Sequence, residues 1–327
     1  MVKFKVNGEE FTIREYKEGD EKQLLLLMKE VFGKNQSLTY WNWEYKKNPR
    51  GFSILLLLNK EGKIIGQYAH LLKKTYFYGK EYTFFMAVDI CIKNEYRGFG
   101  LLDRLVNQLP QFHSKKPFLN YGFPSDHILN AYQKVPKYRN SGECAVKLFG
   151  LSKKYATLSR LLYFFNKKTK KNSLEIFEVS ENNKQDIDRL WNKKKKELKI
   201  SIIRDWRYLN WRILTCPDNI KLFLIRDNGK IAGYFSVMIK DKICYIVDIL
   251  LLNKFVTNKN IYKIEEFCRS YYNKKEIRIF ITDKLIQNKL LDSRFSLVEF
   301  GNFIYYTNIK RNIKILPYLT FIDYDSI

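Results

Sequence analysis

The sequence has no long apolar run, and this absence excludes several classes of protein. A helix that spans a membrane needs about 20 consecutive apolar residues, and no segment of the chain approaches that length. The first residues, MVKFKVNGEEF, lack the apolar block of a secretion signal. We therefore expect a cytoplasmic protein with no membrane span.

Closely spaced cysteines are also missing. The five cysteines stand far apart along the chain, at Cys91, Cys144, Cys216, Cys244 and Cys268. Neither a disulfide framework nor a zinc knuckle is indicated by such spacing. We expect reduced cysteines that serve as packing residues, and we predict no metal site.

Acidic residues are few relative to basic ones. Lysine and arginine together number 59 against 34 aspartates and glutamates, which gives a formal net charge of +25. This charge favours an anionic partner, whether a nucleic acid, a membrane surface or a phosphorylated small molecule. Lysine, asparagine and isoleucine are abundant throughout, however, as an AT-rich genome would also produce. The charge alone leaves both explanations open.

The two halves of the chain resemble each other. The segment that begins YWNWEYKKNP recurs 168 positions later as YLNWRILTCP, and GKIIG at 62–66 recurs as GKIAG at 229–233. The tripeptide VDI at 88–90 recurs at 247–249. Because 327 residues are ample for two domains of about 100 to 200 residues each, the repeat predicts two domains of similar architecture.

Each copy reads as an opening strand, a helical stretch, a Trp/Pro loop and then strands separated by turns such as NKEGK and RDNGK. After VDI in the first half, GLLDRLVNQL predicts a helix with one apolar face, and FLNYGFP predicts a further strand. The lysine-rich segment 166–173 is a predicted linker. The domains are therefore predicted over residues 1–165 and 174–327.

The stretch DICIKNEYRGFG joins an apolar strand to the start of a helix through a turn that contains two glycines. Glycines permit backbone conformations that other residues avoid, and the amides of a helix start are free to bind an anion. Arg97 supplies positive charge. A dinucleotide-binding GxGxxG motif is absent, and no Gly-Lys-Ser/Thr of a phosphate loop follows. An ordinary strand, turn and helix remains the structural alternative.

These residues resemble the acyl-CoA-binding motif of the GNAT acyltransferases. In IKNEYRGFGLLDRL the positions of Ile92, Tyr96, Arg97 and Gly100 match, with Asn94 in place of the family's proline and Leu102 in place of its last small residue. Downstream, LNAYQKVPKY is similar to the family's tyrosine-bearing helix. The resemblance implies an α/β (α+β) protein of two tandem GNAT-like domains, each a mixed, mostly antiparallel central sheet flanked by helices. The second copy, LLLNKFVTNKN, lacks the CoA motif.

The resemblance also implies site residues. Main-chain groups of Ile90 and Ile92 would hold the pantetheine arm of acyl-CoA as an added strand holds to a sheet. The pyrophosphate would be held by the amides of the turn, which belong to Arg97, Gly98, Phe99, Gly100 and Leu101.

Candidate catalytic residues come partly from the resemblance and partly from the sequence around it. Tyr132 is the predicted acid that protonates the departing thiolate. Asp126 and His127 are the predicted bases for the amine, and Asp89 ranks below them because its echo at Asp248 suggests a structural role. Trp43, with Tyr45 near it, is predicted to stack on a nucleotide or sugar, against the alternative that Trp43 anchors the core.

The Trp/Pro loop WEYKKNPRG and the segment NYGFPSD resemble bacterial sugar N-acyltransferases. We therefore expect transfer from acyl-CoA, either acetyl-CoA or a short hydroxyacyl-CoA, to the amine of a nucleotide-linked amino sugar. Such a reaction would serve surface polysaccharide (lipopolysaccharide) biosynthesis. The alternatives are an Eis-type acetyltransferase of another amine, a Fem-type transferase that uses aminoacyl-tRNA, and a non-catalytic binding module.

Overall fold

A computed structural model describes residues 1–112, 119–123, 139–140, 146–151, 174–273, 276–293, 295–301, 304–307 and 318–323. The chain forms two compact units. Unit 1 consists of Met1–Lys74, Tyr82–Ser141 and Phe303–Asn312, and unit 2 consists of Thr75–Glu81, Gly142–Asn302 and Ile313–Ile327. Each unit contains a mixed sheet with helices, as the sequence predicts.

Sixteen strands are described. They are β1 (Val2–Val6), β2 (Glu9–Glu15), β3 (Phe52–Leu58), β4 (Ile64–Phe77), β5 (Lys80–Ile92), β6 (Leu119–Gly122), β7 (Arg139–Asn140), β8 (Val146–Leu151), β9 (Leu174–Glu178), β10 (Ile200–Ile202), β11 (Lys221–Asp227), β12 (Lys230–Lys240), β13 (Ile243–Leu251), β14 (Ile277–Phe280), β15 (Ser296–Gly301) and β16 (Ile304–Thr307).

Seven α-helices are described. They are α1 (Glu21–Phe32), α2 (Leu38–Trp41), α3 (Leu101–Phe112), α4 (Lys184–Lys194), α5 (Trp206–Leu209), α6 (Asn258–Tyr272) and α7 (Lys284–Asp292). Within the described residues none of these helices combines the length and the apolar character that a membrane crossing requires.

The sheet of unit 1 has the strand order β1-β2-β3-β4-β5-β6-β16-β7. The pairs from β1 to β4 are antiparallel, whereas β5 and β6 run parallel. Helix α3 buries Leu101, Leu105 and Val106 against this sheet, together with Phe11 and Leu57 from the strands. The apolar face that the sequence predicts for this helix is thus the face that packs.

The sheet of unit 2 has the order β15-β8-β14-β13-β12-β11-β9. Among its described strand pairs, β13 and β14 run parallel and the others run antiparallel. Its core joins Phe223 and Phe235 of the sheet to Ile261, Ile264 and Cys268 of α6. An apolar stripe with helical spacing on α6 explains this packing.

Local structure repeats where the sequence repeats. Helices α2 and α5 each continue into one π-helical turn, Asn42–Lys46 and Asn210–Leu214, at the same offset of 168 residues. Each helix begins with a capped amide: Ser37 accepts from the Tyr40 N–H, and Asp205 accepts from the Tyr208 N–H. The paired sequence motifs therefore encode one local structure twice.

Two strands join a sheet across the predicted domain boundary. Strand β8 precedes that boundary and pairs with β14 and β15 in unit 2, whereas β16 follows it and pairs with β6 and β7 in unit 1. The predicted linker 166–173 lies outside the described residues. The domain ranges 1–165 and 174–327 stay a prediction.

Candidate functional site

The candidate site lies at the end of β5, which continues past the described end of the neighbouring strand β6. Strands β5 and β6 pair in parallel at Phe85 with Asn120 and at Met86 with Tyr121. In the described part of the chain β6 ends at Gly122, where an added Cβ would stand 3.5 Å from the Ala87 side chain. The last five residues of β5, 88–92, therefore extend beyond the described end of β6. Main-chain groups there are placed to bind an extended ligand.

Asp89 interrupts the regular strand at this point. Its φ is +47°, a left-handed conformation that costs about 1–3 kcal/mol in a residue other than glycine. Two side chains fix the resulting geometry. Gln67 Nε2 donates to the Asp89 carbonyl at 2.8 Å, and the Tyr45 hydroxyl donates to the Asp89 carboxylate at 2.6 Å. A half-buried carboxylate is thus oriented beside the open end of β5.

The turn after β5 presents backbone amides. A short 3-10 turn over Asn94–Tyr96 leads to Gly98 and Gly100, whose φ values are +87° and +67°. An added Cβ would meet nothing within 4 Å at either glycine, so glycine is required by the backbone angle and the space beside it is open. Helix α3 then begins at Leu101, and its first amides have no carbonyl of the same helix to bind. This is a cradle for an anion.

Arg97 has a definite place in this turn. Its backbone N–H donates to the Asn94 carbonyl at 3.1 Å, and its Nε donates to the Ile92 carbonyl at 3.2 Å. The arginine is exposed, so its remaining guanidinium N–H groups face solvent at the turn. Positive charge is therefore held beside the glycine amides.

The apolar members of the predicted CoA site anchor the turn from inside. Ile92 and Leu101 are buried, and Phe99 and Ile90 pack against the same core cluster of unit 1. Their side chains face the protein interior. What these positions offer to a ligand is their main chain, as the resemblance implies.

Trp43 and Tyr45 are both buried, with 2% and 1% of their surface exposed. The Trp43 ring packs edge-on against Tyr40, with ring centroids 5.1 Å apart. Tyr45 is the one of the two that reaches the site, through its hydroxyl on Asp89. The stacking of either ring on a substrate stays a prediction.

The three predicted catalytic residues Asp126, His127 and Tyr132 lie outside the described residues. The sequence analysis ranked Asp89 below Asp126 and His127 as a candidate base and did not identify Gln67. Two sequence signals point to these residues: the VDI repeat includes Asp89, and the GKIIG motif directly precedes Gln67.

Cys91 lies in β5 between Ile90 and Ile92, but its thiol is not suited to act as a nucleophile. Burial raises the pKa of its thiol to about 12, and the negative charge of Asp89 adds to the effect. The thiol therefore stays protonated at neutral pH. Among the described residues no group of three His, Cys, Asp or Glu side chains lies close enough to hold a metal ion.

The matching position of unit 2 is closed. Asp248, the counterpart of Asp89, accepts from the Tyr234 hydroxyl at 2.6 Å and the Thr320 hydroxyl at 2.7 Å. Arg204 Nε lies 3.2 Å from the same carboxylate, and neither side chain of this ion pair has any exposed surface. A carboxylate so enclosed by protein donors is structural.

A second acid completes this buried cluster. Asp323 pairs with Arg204 and is fully buried. Burial by itself would lower the pKa of Arg204, but the charges of Asp248 and Asp323 outweigh it and raise the pKa well above its ordinary value. The arginine is therefore permanently charged, and two carboxylates pair with it.

Unit 2 also binds its own main chain at the position that matches the end of β5. The Tyr318 hydroxyl donates to the carbonyl of Ile249, the counterpart of Ile90. At the start of α6, Thr257 caps the Asn260 amide in place of a glycine turn. The groups that would hold an acyl-CoA are thus occupied in unit 2 by residues of the same unit.

Strand end, glycine turn and helix start follow one another in this order in unit 1. The family model described as an acetyltransferase (GNAT) domain matches residues 12–134, which include β5, the turn and α3. Residues 12–134 thus match a GNAT acetyltransferase domain, and the protein is an acyltransferase enzyme.

Solved structures share this fold over most of the chain. A probable N-acyltransferase from Enterococcus faecalis is 15% identical, with a TM-score of 0.65 over 90% of this chain and 72% of its own. A GCN5-related N-acetyltransferase from Anabaena variabilis is 16% identical, with a TM-score of 0.64 over 90% of this chain and 72% of its own. N-myristoyltransferase from Saccharomyces cerevisiae, with bound myristoyl-CoA, is 14% identical, with a TM-score of 0.60 over 92% of this chain and 83% of its own. No curated protein matches the sequence significantly.

Proposed function

We propose that unit 1 transfers an acyl group from acyl-CoA to the amine of a nucleotide-linked amino sugar. The observation that carries this proposal is the continuity of three features: the end of β5 beyond β6, the Gly98/Gly100 turn and the start of α3. The thioester of acyl-CoA supplies the activated acyl group. Surface polysaccharide biosynthesis, including lipopolysaccharide, is the process that such a product would serve.

Main-chain groups of the chain hold the donor in this proposal. Ile90 and Ile92 bind the pantetheine arm along β5, and the amides from Arg97 to Leu101 bind the pyrophosphate. The Arg97 guanidinium adds charge, and Gly98 and Gly100 leave room for the phosphate oxygens because they carry no Cβ. Unit 2 has these groups filled by its own side chains, so we assign donor binding to unit 1.

Asp89 is the base that the described geometry supports best. The amine must lose a proton as its nitrogen bonds to the thioester carbonyl carbon and the carbon–sulfur bond breaks. Asp89 carries a half-buried carboxylate at the open end of β5, and Tyr45 orients it through a 2.6 Å hydrogen bond. Asp126 and His127 stay alternative bases, and Tyr132 stays the predicted acid for the thiolate.

The acceptor rests on the sequence resemblance, and the charge of +25 suits two phosphorylated substrates. The likeness to a structure that holds myristoyl-CoA makes the length of the acyl chain a variable of the test. Donors should therefore include acetyl-CoA, 3-hydroxybutyryl-CoA and myristoyl-CoA, and acceptors a panel of amino-sugar nucleotides.

The first experiment is a calorimetric titration of CoA into the wild type and into Gly100→Val. We expect saturable binding that the variant loses, because valine is strained at φ +67° and its side chain enters the amide cradle. Gly62→Val is the matched control, since Gly62 has φ +77° and lies in a turn between β3 and β4. No binding by the wild type, or equal loss in both variants, would contradict the proposal.

The second experiment measures release of free CoA with each donor and acceptor pair. We expect release that depends on an amino-sugar nucleotide. Release with other amines alone would support the Eis-type alternative, and strongly salt-dependent binding of tRNA would support the Fem-type alternative.

A further inference from the structure

A basic cavity of about 480 Å³ lies in unit 2. It is formed by helix α4, the turn between β11 and β12, and the turn that follows β13. Its charged lining residues are five cations and one acid: Arg189, Lys193, Arg226, Lys230, Lys254 and Asp186. We call it the basic cavity.

The positive charge of the basic cavity is only partly balanced. Asp186 holds two of the cations, with Arg189 at 2.8 Å and Arg226 at 3.7 Å. For Lys193 and Lys230, no carboxylate in the described part of the chain lies within ion-pair distance. Like charges that converge on one cavity repel each other, and an anion bound between them removes that cost.

The floor of the basic cavity is apolar. Leu190 and Leu252 are buried beneath it, and Ile231 and Phe255 line it as partly exposed side chains. A cationic rim over such a floor suits a molecule with charged phosphates and an apolar or aromatic body. Inorganic phosphate alone would leave the floor unused.

The corresponding region of unit 1 differs in charge at one matched position. Helices α1 and α4 correspond through their buried positions, of which Leu27 matches Leu190. The same correspondence sets Glu30 of unit 1 against Lys193. In unit 1, Glu30 forms a 2.6 Å ion pair with Lys93, so the matching region there is neutralised by its own side chains.

We propose that unit 2 binds a small organic phosphate, with at least two negative charges, in the basic cavity. The phosphates lie among Lys193, Lys230 and Arg226, and the organic body lies on the floor of Leu252 and Phe255. This inference is independent of the acyltransfer proposed for unit 1, because no residue of the glycine turn or of β5 lines the cavity.

The test is calorimetric titration of the full chain with ADP and with pyrophosphate at physiological ionic strength. We expect saturable binding of ADP that persists in Gly100→Val, since that variant removes only the pyrophosphate site proposed for unit 1. Pyrophosphate should bind more weakly than ADP, because it lacks a body to cover the floor. Equal affinities would contradict the organic part of the proposal.

Charge reversal locates the site. Lys193→Glu with Lys230→Glu should weaken ADP binding by about 100-fold, since each substitution removes a charge-assisted hydrogen bond. Lys196→Glu with Lys242→Glu is the matched control: it makes the same change in net charge at two exposed lysines that do not line the cavity. The control pair should retain ADP affinity within about threefold.

Three outcomes would overturn the proposal. They are no saturable ADP binding by the wild type, an equal loss of affinity in both double variants, and loss of ADP binding in Gly100→Val. The second outcome would indicate non-specific attraction to a basic protein, and the third would assign the ADP to the glycine turn of unit 1. A circular dichroism spectrum like that of the wild type shows that each variant is folded.

Discussion

Asp89 of unit 1 and Asp248 of unit 2 stand at matching positions on two similar strands, but their surroundings differ. Asp89 is half-buried, and its described side-chain donor is a tyrosine hydroxyl. Asp248 has no exposed surface and is bound by Arg204, Tyr234 and Thr320. The same sequence element thus supports a carboxylate beside an open strand end in one unit and a structural ion pair in the other.

The difference shows how matching strands can carry a half-buried carboxylate in one unit and a buried ion cluster in the other. An arginine brought into the interior must be matched by acids, because an unpaired buried charge is costly. Asp248 and Asp323 meet this need for Arg204. Once the cluster forms, Asp248 is enclosed by Arg204, Tyr234 and Thr320. The strand and its neighbours keep their geometry.

The largest expected effect comes from breaking the buried cluster. Arg204→Met should lower the free energy of unfolding by about 3–5 kcal/mol, because Asp248 and Asp323 are left buried without a counter-charge. Arg189→Met is the matched control in the same unit, because Arg189 pairs with Asp186 at the surface; it should cost less than about 1 kcal/mol. Urea denaturation measures both, and equal losses would contradict the assignment of Asp248 to a structural role.

Asp89→Asn tests the other side of the comparison. We expect turnover to fall by about 100-fold or more, because asparagine cannot accept the proton of the amine. The thermal midpoint should change little, since asparagine keeps the shape of the side chain and still accepts from Tyr45. The measurement is release of free CoA. Unchanged turnover would remove Asp89 from the mechanism and leave Asp126 and His127 as the candidate bases.

In each unit a glycine lets two neighbouring strands approach closely, β4 and β5 at Gly66 and β12 and β13 at Gly233. Alanine substitutions test this role. A Cβ on Gly66 would stand 2.9 Å from the Cys91 carbonyl oxygen, and one on Gly233 would collide with the carbonyl of Leu250. Alanine at either position should cost about 1–3 kcal/mol, with the larger loss at Gly233.

Gly122→Ala is the control for this pair, because its added Cβ would make an ordinary contact of 3.5 Å with Ala87. It should cost less than about 1 kcal/mol. Urea denaturation compares the three variants. If Gly122→Ala destabilised the protein as much as Gly66→Ala does, the close approach of strands would not be the reason for these glycines.

Tyr45→Phe sharpens the comparison within unit 1. The variant removes the hydroxyl that orients Asp89 and leaves the buried ring in place. We expect turnover to fall about 10-fold, in line with the loss of one hydrogen bond to a charged group, while the KM for acyl-CoA stays near that of the wild type. A large rise in that KM with unchanged kcat would assign Tyr45 to donor binding.

The smallest expected effect is on the stability of unit 1 at acid pH. Glu21 there pairs with Lys46 in a partly exposed cluster, whereas the Arg204 cluster of unit 2 is fully buried. Burial alone would raise the pKa of Glu21, but hydrogen bonds from Lys46 and Tyr16 outweigh it and lower the pKa from 4.5 to about 2. A lowered folded-state pKa adds stability above the unfolded value, and this stability is lost as the pH falls from about 4.5 to about 2.

Glu21→Gln should therefore flatten the decline of the urea midpoint between those pH values. The change should be about 1 kcal/mol, because the Lys46 side chain is 36% exposed and solvent screens the pair. A decline equal to that of the wild type would show that other carboxylates control it.

The sequence by itself determined the local features of this protein. Two glycines between an apolar strand and an amphipathic helix predicted the turn at Gly98 and Gly100, and the structure confirms positive φ at both. The repeated Tyr-x-Asn-Trp motif identified two copies of one helical turn. Such features depend on residues that are neighbours along the chain, so their pattern is visible without the fold.

Only the tertiary structure decided which distant residues meet. Tyr45 reaches Asp89 across 44 positions, Arg204 reaches Asp323 across 119, and β16 pairs with β6 although about 180 residues lie between them. Periodicity shows which face of a strand is buried, but strand order and register are set by the packing of the whole sheet. For that reason the sequence identified both aspartates, and the fold decided which one lies at an open strand end.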